Sequence, residues 1–471
     1  MVKLGLQARL FRNTGDYAAP VWQHVRACRE GTLSLERAEA EATTRGNAGF
    51  RATAVALKDA TVEVELAYCP PDSDVDALIA AMTGGTSLDL LVADGDGIGG
   101  QGLRADWIVQ AIERGEPLEE AQRLRLTLKT DSQTHAPQWY TSTSMLGWAH
   151  YKEITVRPDN VNATLLDFPL HVPIEADADI GASARADGLD IRFTNADGTQ
   201  ELSFERESFA IIDGNAEGRF WVKVPTIDPD TGATIRIYYG NPNATDASDP
   251  DSTWDSDYIW VSHMADLTPS VVRASRGQNG VKKDSTHPSE TTGLIGRAQD
   301  FCSGSYLDCG DLTPAAWTLE LLFKGASSSN GVLMHWGDIY SSVYLPFNES
   351  ISILMGECNW RNWPITVTNQ VCDGNWHHLA FSISGNDQFD IDNSAFYLDG
   401  NAQFPEYTDN TGQQQAKSGN LTLGYLTDYS ETTGIYDEVR ISQVQRSEGW
   451  IKFAAINLTS TDHELTWGAE Q

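Results

Sequence analysis

Two segments in the first third of the chain alternate hydrophobic and polar residues with a period of two. Residues 61–68 alternate valine, leucine and tyrosine with glutamate, and residues 123–129 alternate leucine with arginine, threonine and lysine. Because side chains two apart on a strand share a face, the pattern predicts two strands, each with one apolar and one charged face. If the domain forms a ring, this charged face would line a channel or meet a neighbouring subunit; its residues are Glu63, Glu65, Arg123, Arg125 and Lys129.

A helix is predicted between these two strands, over residues 72–82. Asp72 is a favourable N-cap residue, and the pair Gly84 and Gly85 is a typical helix end. Apolar residues recur at helical spacing within the segment. The predicted buried stripe consists of Val75, Leu78, Ile79 and Met82.

Residues 34–50 break this pattern, since they are rich in charge and poor in core-forming residues. They predict either a hairpin arm that reaches beyond the domain or an ordinary surface loop. The charged, polar and aromatic residues of the candidate arm are Glu36, Arg37, Glu39, Glu41, Arg45, Asn47 and Phe50.

Polar, turn-rich stretches divide the chain into three predicted domains. Residues 130–144 lack hydrophobic periodicity, and residues 265–300 are a softer boundary of the same kind. A length of 471 residues also suggests about three domains. The predicted domains are residues 1–140, 141–270 and 271–471. Strand-like patterns dominate all three, so the predicted fold class is mainly β, with one helix in the first domain.

The charge balance excludes some partners. The formal net charge is −33, which argues against binding nucleic acid through phosphate neutralisation and against docking on an anionic membrane. No apolar run reaches the length of a membrane span, so we expect no membrane insertion. Arg9, Arg12 and Asp16 interrupt the start of the chain, which does not resemble a signal peptide.

The six cysteines show no C-x-x-C spacing, so neither a zinc ribbon nor a thioredoxin-type pair is indicated. Cys302, Cys309, Cys358 and Cys372 form a group far from the other two. They would make two disulfide bridges in an oxidising compartment, or they are unpaired buried thiols.

Motifs that suggest chemistry have simpler interpretations. Residues 95–100 fit G-x-G-x-x-G, but the following residues predict a strand and not the helix that dinucleotide binding requires. His377 and His378 are adjacent, as are Asp437 and Glu438, and neighbours on a regular strand face opposite ways. Neither pair then serves one metal ion or the paired carboxylates of a glycosidase. We expect no catalytic residue, no metal ligand and no cofactor, with calcium in the third domain unassigned.

One aromatic segment suggests a binding surface. Trp360, Arg361, Asn362 and Trp363 combine two indole rings with polar neighbours, on what is predicted as a loop. Aromatic rings suit the apolar faces of sugar rings, and polar groups suit their hydroxyls. The alternative is that both tryptophans cap a sandwich core.

The first domain resembles the tail tube proteins of long-tailed bacteriophages. The resemblance rests on the ordered set LGLQA at 4–8, RNTG at 12–15, TTRGN at 43–47, GFRAT at 49–53, ALKDA at 56–60, GLRAD at 102–106 and PLEEA at 117–121. It implies a β-sandwich or barrel, hexameric rings that stack into a tube, and a 34–50 arm that contacts the next ring. The implied partners are other copies of the chain, tape-measure and terminator proteins, and genomic DNA that passes through without specific binding.

The other two domains also carry resemblances. Residues 166–174, 190–194, 220–225 and 235–241 resemble an uncharacterised β-sandwich module found beside lectin-like domains. The third domain resembles the laminin-G-like, concanavalin A-like jelly roll through WTLELLFK at 317–324, GNWHHLA at 374–380, FYLDG at 396–400, LTLG at 421–424 and IYDEVRIS at 435–442.

Together these resemblances imply a structural subunit of a virion tail. Lectin-like domains would be displayed outside the tube, where host-surface glycans are the expected partners. The alternative is a glycan-binding adhesin or receptor-binding tail component, in which the first domain serves only for attachment.

Overall fold

The structure is a computed structural model of the chain. It describes residues 9–18, 20–41, 53–68, 71–115, 122–131, 133–283, 287–302, 304–312, 314–325, 331–336, 341–345, 351–355, 359–364, 366, 370–385, 388–409, 419–424 and 433–471.

The first part of the chain folds into an eight-stranded sheet with one helix. Its elements are β1 (Arg9–Asn13), β2 (Trp22–His24), β3 (Cys28–Glu41), β4 (Thr53–Ala67), α1 (Ser73–Gly84), β5 (Leu88–Ala93), β6 (Gln101–Gly115), β7 (Arg123–Asp131) and β8 (Gln138–Thr141). The strand order is β2-β1-β5-β6-β7-β4-β3, and β8 pairs with β6. The glycine-rich segment before β6 thus leads into a strand, as predicted.

The two predicted strands are confirmed as β4 and β7, which pair antiparallel. Their apolar faces build the core of this part of the chain: Val62, Val64, Leu66, Leu124, Leu126 and Leu128 are all buried. Alternation with a period of two therefore assigned both faces of both strands correctly.

Helix α1 begins and ends where its caps predict. The Asp72 carboxylate accepts hydrogen bonds from the backbone N–H groups of Asp74 and Val75, at 2.9 and 3.1 Å. Gly85 takes the left-handed conformation with φ of 65° and closes the helix. The predicted stripe was wrong at Met82, which is 39% exposed, because Ala81 occupies the buried position one residue earlier.

The middle part of the chain contains nine strands and two short helices. They are β9 (His150–Val156), β10 (Leu165–Asp177), α2 (Ala178–Ser183), β11 (Arg192–Asn195), β12 (Glu201–Leu202), β13 (Phe204–Ile212), β14 (Asn215–Ile227), β15 (Ala233–Tyr239), α3 (Pro250–Thr253), β16 (Tyr258–Ser262) and β17 (Asp266–Thr268). Strands β10, β14 and β13 form a three-stranded sheet in that order.

The remaining elements lie in the C-terminal part. They are β18 (Val271–Val272), β19 (Gly280–Lys282), β20 (Ser289–Thr292), β21 (Arg297–Phe301), β22 (Leu307–Gly310), β23 (Trp317–Lys324), β24 (Gly331–Trp336), β25 (Ser341–Leu345), β26 (Ile351–Met355), β27 (Asn359–Trp363), β28 (Trp376–Ile383), a 3₁₀ helix (Gln388–Asn393), β29 (Ala395–Leu398), β30 (Asn401–Gln403), β31 (Tyr407–Asp409), β32 (Leu421–Leu423), β33 (Gly434–Ser442), α4 (Glu448–Thr459) and β34 (Leu465–Trp467).

Two sheets enclose the core of the C-terminal part. One has the order β20-β21-β33-β23-β28-β29-β30, with β16 paired to β33, and the other has the order β17-β18-β19-β22-β32-β24-β25-β26-β27-β31. Their shared core contains Trp317, Trp336, Trp363, Phe381 and Tyr436 among its larger side chains. The fold is thus mainly β, with a jelly roll in its C-terminal part, as the sequence predicts.

The last strand returns to the middle part of the chain. Strand β34 pairs antiparallel with β9, with Leu465 opposite Val156 and Trp467 opposite Ile154. It forms the edge of a five-stranded sheet of order β12-β11-β15-β9-β34. Helix α4 also packs on β10, where Phe168 lies 4.8 Å from Trp450 and 5.2 Å from Phe453 between ring centroids.

The chain divides into two compact units. Unit 1 comprises Met1–Tyr151, Thr194–Glu201 and Tyr238–Thr245, and unit 2 comprises Lys152–Phe193, Leu202–Ile237 and Asp246–Gln471. The expected boundary at 270/271 falls inside unit 2, where β16 and β34 join strands from the other side of that boundary. The three-domain division stays a prediction. Within the described ranges, none of the helices has the length and apolar character needed to cross a membrane.

Candidate functional site

A row of charged side chains crosses four neighbouring strands of unit 1. Glu30 of β3 lies opposite Glu65 of β4, which lies opposite Arg125 of β7, which lies opposite Glu113 of β6. Together with Glu63 these residues line a concavity of about 370 Å³. We call these five residues the acidic face, because four carboxylates share it with one guanidinium.

Ion pairs organise the centre of this face. Glu65 accepts hydrogen bonds from Arg123 at 2.9 Å and from Arg125 at 3.2 Å. The hydrogen bond from Arg125 and the charges of both arginines lower the pKa of Glu65. Lys129 lies apart from this group and pairs with Asp59 at 3.5 Å.

The charged face predicted from the sequence is therefore only partly one cluster. Glu65, Arg123 and Arg125 come together, while Glu63 is exposed beside them and Lys129 has another partner. Glu63 and Glu65 are not both buried, so the arrangement leaves them available to a channel or to another subunit. That role stays a prediction.

The candidate arm is a two-stranded hairpin over its described residues. Pairing of β3 with β4 continues from Cys28 opposite Leu66 to Glu41 opposite Thr53. Pairing of β4 with β7 stops at Thr61 opposite Lys129. We call residues 34–41 and 53–60 the arm, because among the described residues they form a ladder of two strands with no third neighbour.

The arm contains four of the seven residues predicted for it. Glu36 is exposed, and Arg37, Glu39 and Glu41 follow it on β3. Arg45, Asn47 and Phe50 lie outside the described residues. Leu35, which the sequence analysis did not select, is 58% exposed on the arm.

The aromatic segment of the jelly roll is strand β27 and not the predicted loop. Trp363 is fully buried, donates to the Gln403 carbonyl at 3.0 Å and packs against Phe396. It cannot stack on a sugar ring, so this part of the predicted glycan surface was wrong. The alternative, a tryptophan within the sandwich core, holds for Trp363.

The polar residues of this segment are partly buried. Arg361 donates to the backbone carbonyls of Ile391 and Asp392. Burial lowers the pKa of Arg361, and Asn362 precedes the buried tryptophan on the same strand. The side chain of Trp360 lies outside the described residues, so its predicted stacking role stays a prediction.

A cluster of buried ionisable groups lies within unit 2, where β13 and the end of β16 meet β33. We call it the junction cluster; its residues are Glu205, Glu207, His263, Asp437, Glu438 and Arg440. His263, Asp437, Glu438 and Arg440 are between 0% and 6% exposed. Sequence analysis selected only two of the six and assigned no role to them.

A bulge in β33 brings two of these carboxylates to one face. The register with β23 passes from Glu320 opposite Arg440 to Leu322 opposite Asp437, which leaves one extra residue on β33. Glu438 has a φ of 49° at this point. The prediction that Asp437 and Glu438 face opposite ways was wrong, because alternation fails at a bulge. Both side chains turn away from the core that contains Tyr436 and Val439.

His263 is the centre of the junction cluster. Its Nδ1 lies 2.9 and 3.0 Å from the two carboxylate oxygens of Glu438, and its Nε2 lies 3.3 Å from Glu205. Arg440 donates to Glu438 at 3.1 Å. Trp221 stacks on the imidazole with centroids 5.1 Å apart and donates to Glu207 at 3.2 Å.

These contacts shift the pKa values in a consistent way. Burial acts to lower the pKa of His263, but the carboxylates of Glu438, Glu205 and Glu207 outweigh it and raise that pKa well above its ordinary value. Burial, with the negative charge of Glu438, raises the pKa of Glu207 to about 7. Burial and Glu438 also raise the pKa of Asp437 well above its ordinary value. Burial acts to raise the pKa of Glu205, but the charge of His263 and hydrogen bonds outweigh it and lower that pKa. The cluster therefore holds a histidinium ion beside two carboxyl groups that favour protonation, Glu207 and Asp437.

Three members of the junction cluster have the chemistry of metal ligands. Glu207, His263 and Glu438 each offer one ligand atom, and these atoms lie within 4.8 Å of one another. Metal binding would require a neutral imidazole. The two short distances from Nδ1 to Glu438 fit an N–H that donates to a carboxylate, so we interpret the group as an ion pair.

Other sequence candidates have structural partners. His378 is fully buried near Glu320, whereas His377 contacts Asp399 and Asp373, so the two imidazoles do face different surroundings. Cys28, Cys302, Cys309 and Cys372 are free thiols. Two bridges among the last four cysteines are therefore wrong, while Cys358 lies outside the described residues.

A sequence signal for the junction cluster exists in β13. Glu205 and Glu207 are two residues apart within Phe204–Ile212, which predicts two carboxylates on one face of a strand. Their partners His263 and Glu438 are far away in sequence, and nothing in the local pattern indicates that they meet.

Comparisons with known proteins identify two parts of the chain. Residues 303–452 match the model of the concanavalin A-like lectin/glucanases superfamily. Residues 187–267 match the model of a domain of unknown function, DUF2341. The class is therefore a mainly β protein with a concanavalin A-like jelly roll. No curated protein matches the chain.

Several solved structures are similar to parts of the chain. A chain from the virion of a native gene transfer agent particle is 12% identical, covering 30% of this chain and 100% of that one, with a TM-score of 0.25. The SPP1 tail tube is 13% identical, covering 30% and 79%, with a TM-score of 0.25. Domain 4 of AbnA, a GH43 extracellular arabinanase from Geobacillus stearothermophilus in complex with arabinotriose, is 16% identical, covering 42% and 100%, with a TM-score of 0.32.

Proposed function

We propose that this chain is the tail tube subunit of a long-tailed phage. Unit 1 would assemble into hexameric rings that stack around the DNA channel of the virion tail, and unit 2 would be displayed outside. Tape-measure and terminator proteins would be its further partners. The chain would catalyse no reaction in this role.

The arm is the observation that carries this proposal. A hairpin that continues beyond its sheet leaves backbone donors and acceptors open along both outer edges, and such edges pair readily with another chain. β3 is also the last strand of the sheet, and it is 14 residues long. Exposed Leu35 adds an apolar contact that a single copy leaves in water.

The acidic face suits the wall of a DNA channel. Glu30, Glu63, Glu65 and Glu113 place negative charge on a concave surface, which repels the phosphate backbone and lets DNA pass without binding. Within one copy of the chain, ion pairs with Arg123 and Arg125 fix the position of the Glu65 carboxylate. A positively charged wall would instead retain DNA.

Electron microscopy of the purified full chain tests assembly. We expect rings or tubes, with density from unit 2 outside. In a shortened variant, residues 37–58 are replaced by Asn-Gly, which joins Glu36 to Asp59 where they already face each other. We expect this variant to fold, as judged by circular dichroism, and to form no tubes.

A matched pair of point variants distinguishes the effect of changing the arm from the effect of changing any exposed apolar residue. Leu35→Ser changes an exposed residue on the arm, and Val21→Ser changes an equally exposed residue outside it, at 58% and 60% exposure. We expect Leu35→Ser to weaken assembly and Val21→Ser to leave it intact. Equal assembly by wild type, Leu35→Ser and the shortened variant would disprove the role of the arm.

The concanavalin A-like match favours a second candidate, a glycan-binding adhesin or receptor-binding tail component. In this case unit 1 would only attach the chain to the virion. A full chain that stays monomeric under all assembly conditions, together with binding on a glycan array, would favour this candidate over the tube.

A further inference from the structure

A cleft with unpartnered polar groups lies within unit 2, beside the junction cluster. Ile295 of its lining donates to Asp437, and His171 lies 4.7 Å from Trp221 between ring centroids. The cleft has a volume of about 540 Å³, and β10, β14, the turn at residues 293–296 and the end of α4 form its walls. This volume is in the range of small-molecule sites, about 300–1,000 Å³. We call it the His171 cleft, after the residue at its base.

His171 is a buried side chain without a hydrogen-bond partner. It is 2% exposed, and neither ring nitrogen has a partner among the described residues. Burial, together with the positive charges of His463, Arg440, Arg219 and His263, lowers the pKa of His171 well below its ordinary value. A neutral imidazole offers one N–H donor and one acceptor, and leaving both unused costs free energy.

Two further groups of the cleft also lack strong partners. The Ser460 hydroxyl is buried and unpartnered among the described residues. Arg219 makes one long hydrogen bond, 3.5 Å from Nη1 to the Ser208 hydroxyl, and no salt bridge within 4.0 Å in the described part of the chain. Its charge acts on Glu207 only at longer range, where it acts to lower the pKa of that carboxyl. A guanidinium with no carboxylate in direct contact, next to an imidazole and a hydroxyl without hydrogen-bond partners, suits a binding site.

We propose that the His171 cleft binds a saccharide that carries one carboxylate. The carboxylate would pair with Arg219, whose planar fork matches it in two hydrogen bonds. Sugar hydroxyls both donate and accept, as do the imidazole of His171 and the hydroxyl of Ser460. Leu294, which is 40% exposed, would pack against the apolar face of the ring.

The charges around the cleft narrow the class of ligand. Glu175 and Glu217 are exposed and line the same cleft. They would repel a ligand that carries several negative charges, whereas a single carboxylate needs only Arg219. A simple anion would use Arg219 but leave His171 and Ser460 unpaired. All of these residues belong to unit 2, so the inference does not depend on assembly into a tube.

Ligand-observed NMR with the full chain tests the site, with three probes. Glucuronic acid carries the carboxylate, glucose lacks it, and acetate has the carboxylate alone. We expect glucuronic acid to bind about tenfold or more tightly than either of the others, the effect of one charge-assisted pair added to the hydroxyl contacts. Equal affinity for acetate would overturn the proposal in favour of an anion site only, and no binding of glucuronic acid would overturn it outright.

Variants locate the binding. Arg219→Ala is expected to abolish the preference for glucuronic acid over glucose, Arg219→Lys to keep part of it, and Ser460→Ala to weaken both sugars severalfold. Arg297→Ala is the matched control, because this arginine of unit 2 is exposed and lies 3.8 Å from Glu290. Thermal unfolding shows that each variant folds. Unchanged preference in folded Arg219→Ala would show that the sugar binds elsewhere.

Discussion

Buried charge in the junction cluster makes unit 2 sensitive to pH at the level of single residues. Glu207 titrates near 4.5 when unfolded and at about 7 in the folded chain. A group whose folded pKa is raised stabilises the fold fully below its unfolded pKa, and that stabilisation is lost as pH rises through the folded value. His263 and Asp437 shift in the same direction, so their effects add. These three groups make unit 2 less stable at pH 8.5 than at pH 5, whereas the lowered pKa of His171 contributes with the opposite sign at pH values below about its ordinary pKa.

Glu207→Gln should flatten this pH dependence. At pH 5 the variant should be close to the wild type, because both side chains are then neutral in the folded chain. At pH 8.5 it should be more stable by about 1–3 kcal/mol, since it carries no buried charge. Chemical denaturation at both pH values measures the difference, with exposed Glu406→Gln as the control. An identical change of stability between pH 5 and pH 8.5 in the wild type and in Glu207→Gln would contradict the assignment.

At the scale of elements, helix α1 ends with two glycines that have different backbone conformations. Gly84 is the last helical residue, while Gly85 has a φ of 65°, and a Cβ added at either meets nothing within 4 Å. Alanine therefore causes no steric clash at either position, and the two substitutions differ only in how well alanine tolerates the local backbone conformation.

Gly85→Ala should destabilise unit 1 by about 1 kcal/mol, because alanine disfavours the left-handed conformation. Gly84→Ala should be neutral or stabilise unit 1 by up to about 1 kcal/mol, because alanine favours the helix. Urea denaturation of both variants checks the pair. The same sign for both changes would mean that the cap geometry is not as described.

Elements defined by local rules were predictable, and those defined by distant contacts were not. The strands β4 and β7 and the caps of α1 follow from alternation and from Asp72 and Gly85. The bulge at Glu438 could not be predicted, because alternation assumes a regular strand. The burial of Trp363 depends on Gln403 and Phe396, and the junction cluster depends on His263 meeting Glu438 across 175 positions. Contacts between residues so distant in sequence depend on how whole sheets pack together.

At the scale of the whole molecule, two compact units should unfold as two separate events. Glu438→Gln removes a buried charge that pairs with His263 and Arg440, which should cost about 3–5 kcal/mol. In calorimetry we expect it to lower only the transition of unit 2, by roughly 5–15 °C. Gly85→Ala should move only the other transition, and one transition that moves with both variants would show that the units unfold together.

The return of α4 and β34 to the middle part of the chain has a consequence for synthesis. Phe168 on β10 packs against Trp450 and Phe453, and β9 pairs with β34. The apolar surface of β10 and the edge of β9 therefore stay uncovered until nearly the whole described chain has been synthesised. At about 5–20 residues per second, a ribosome would leave this apolar surface open for roughly 15–60 s. During that interval the jelly roll can form first, and the middle part of the nascent chain is the stretch that a chaperone must shield.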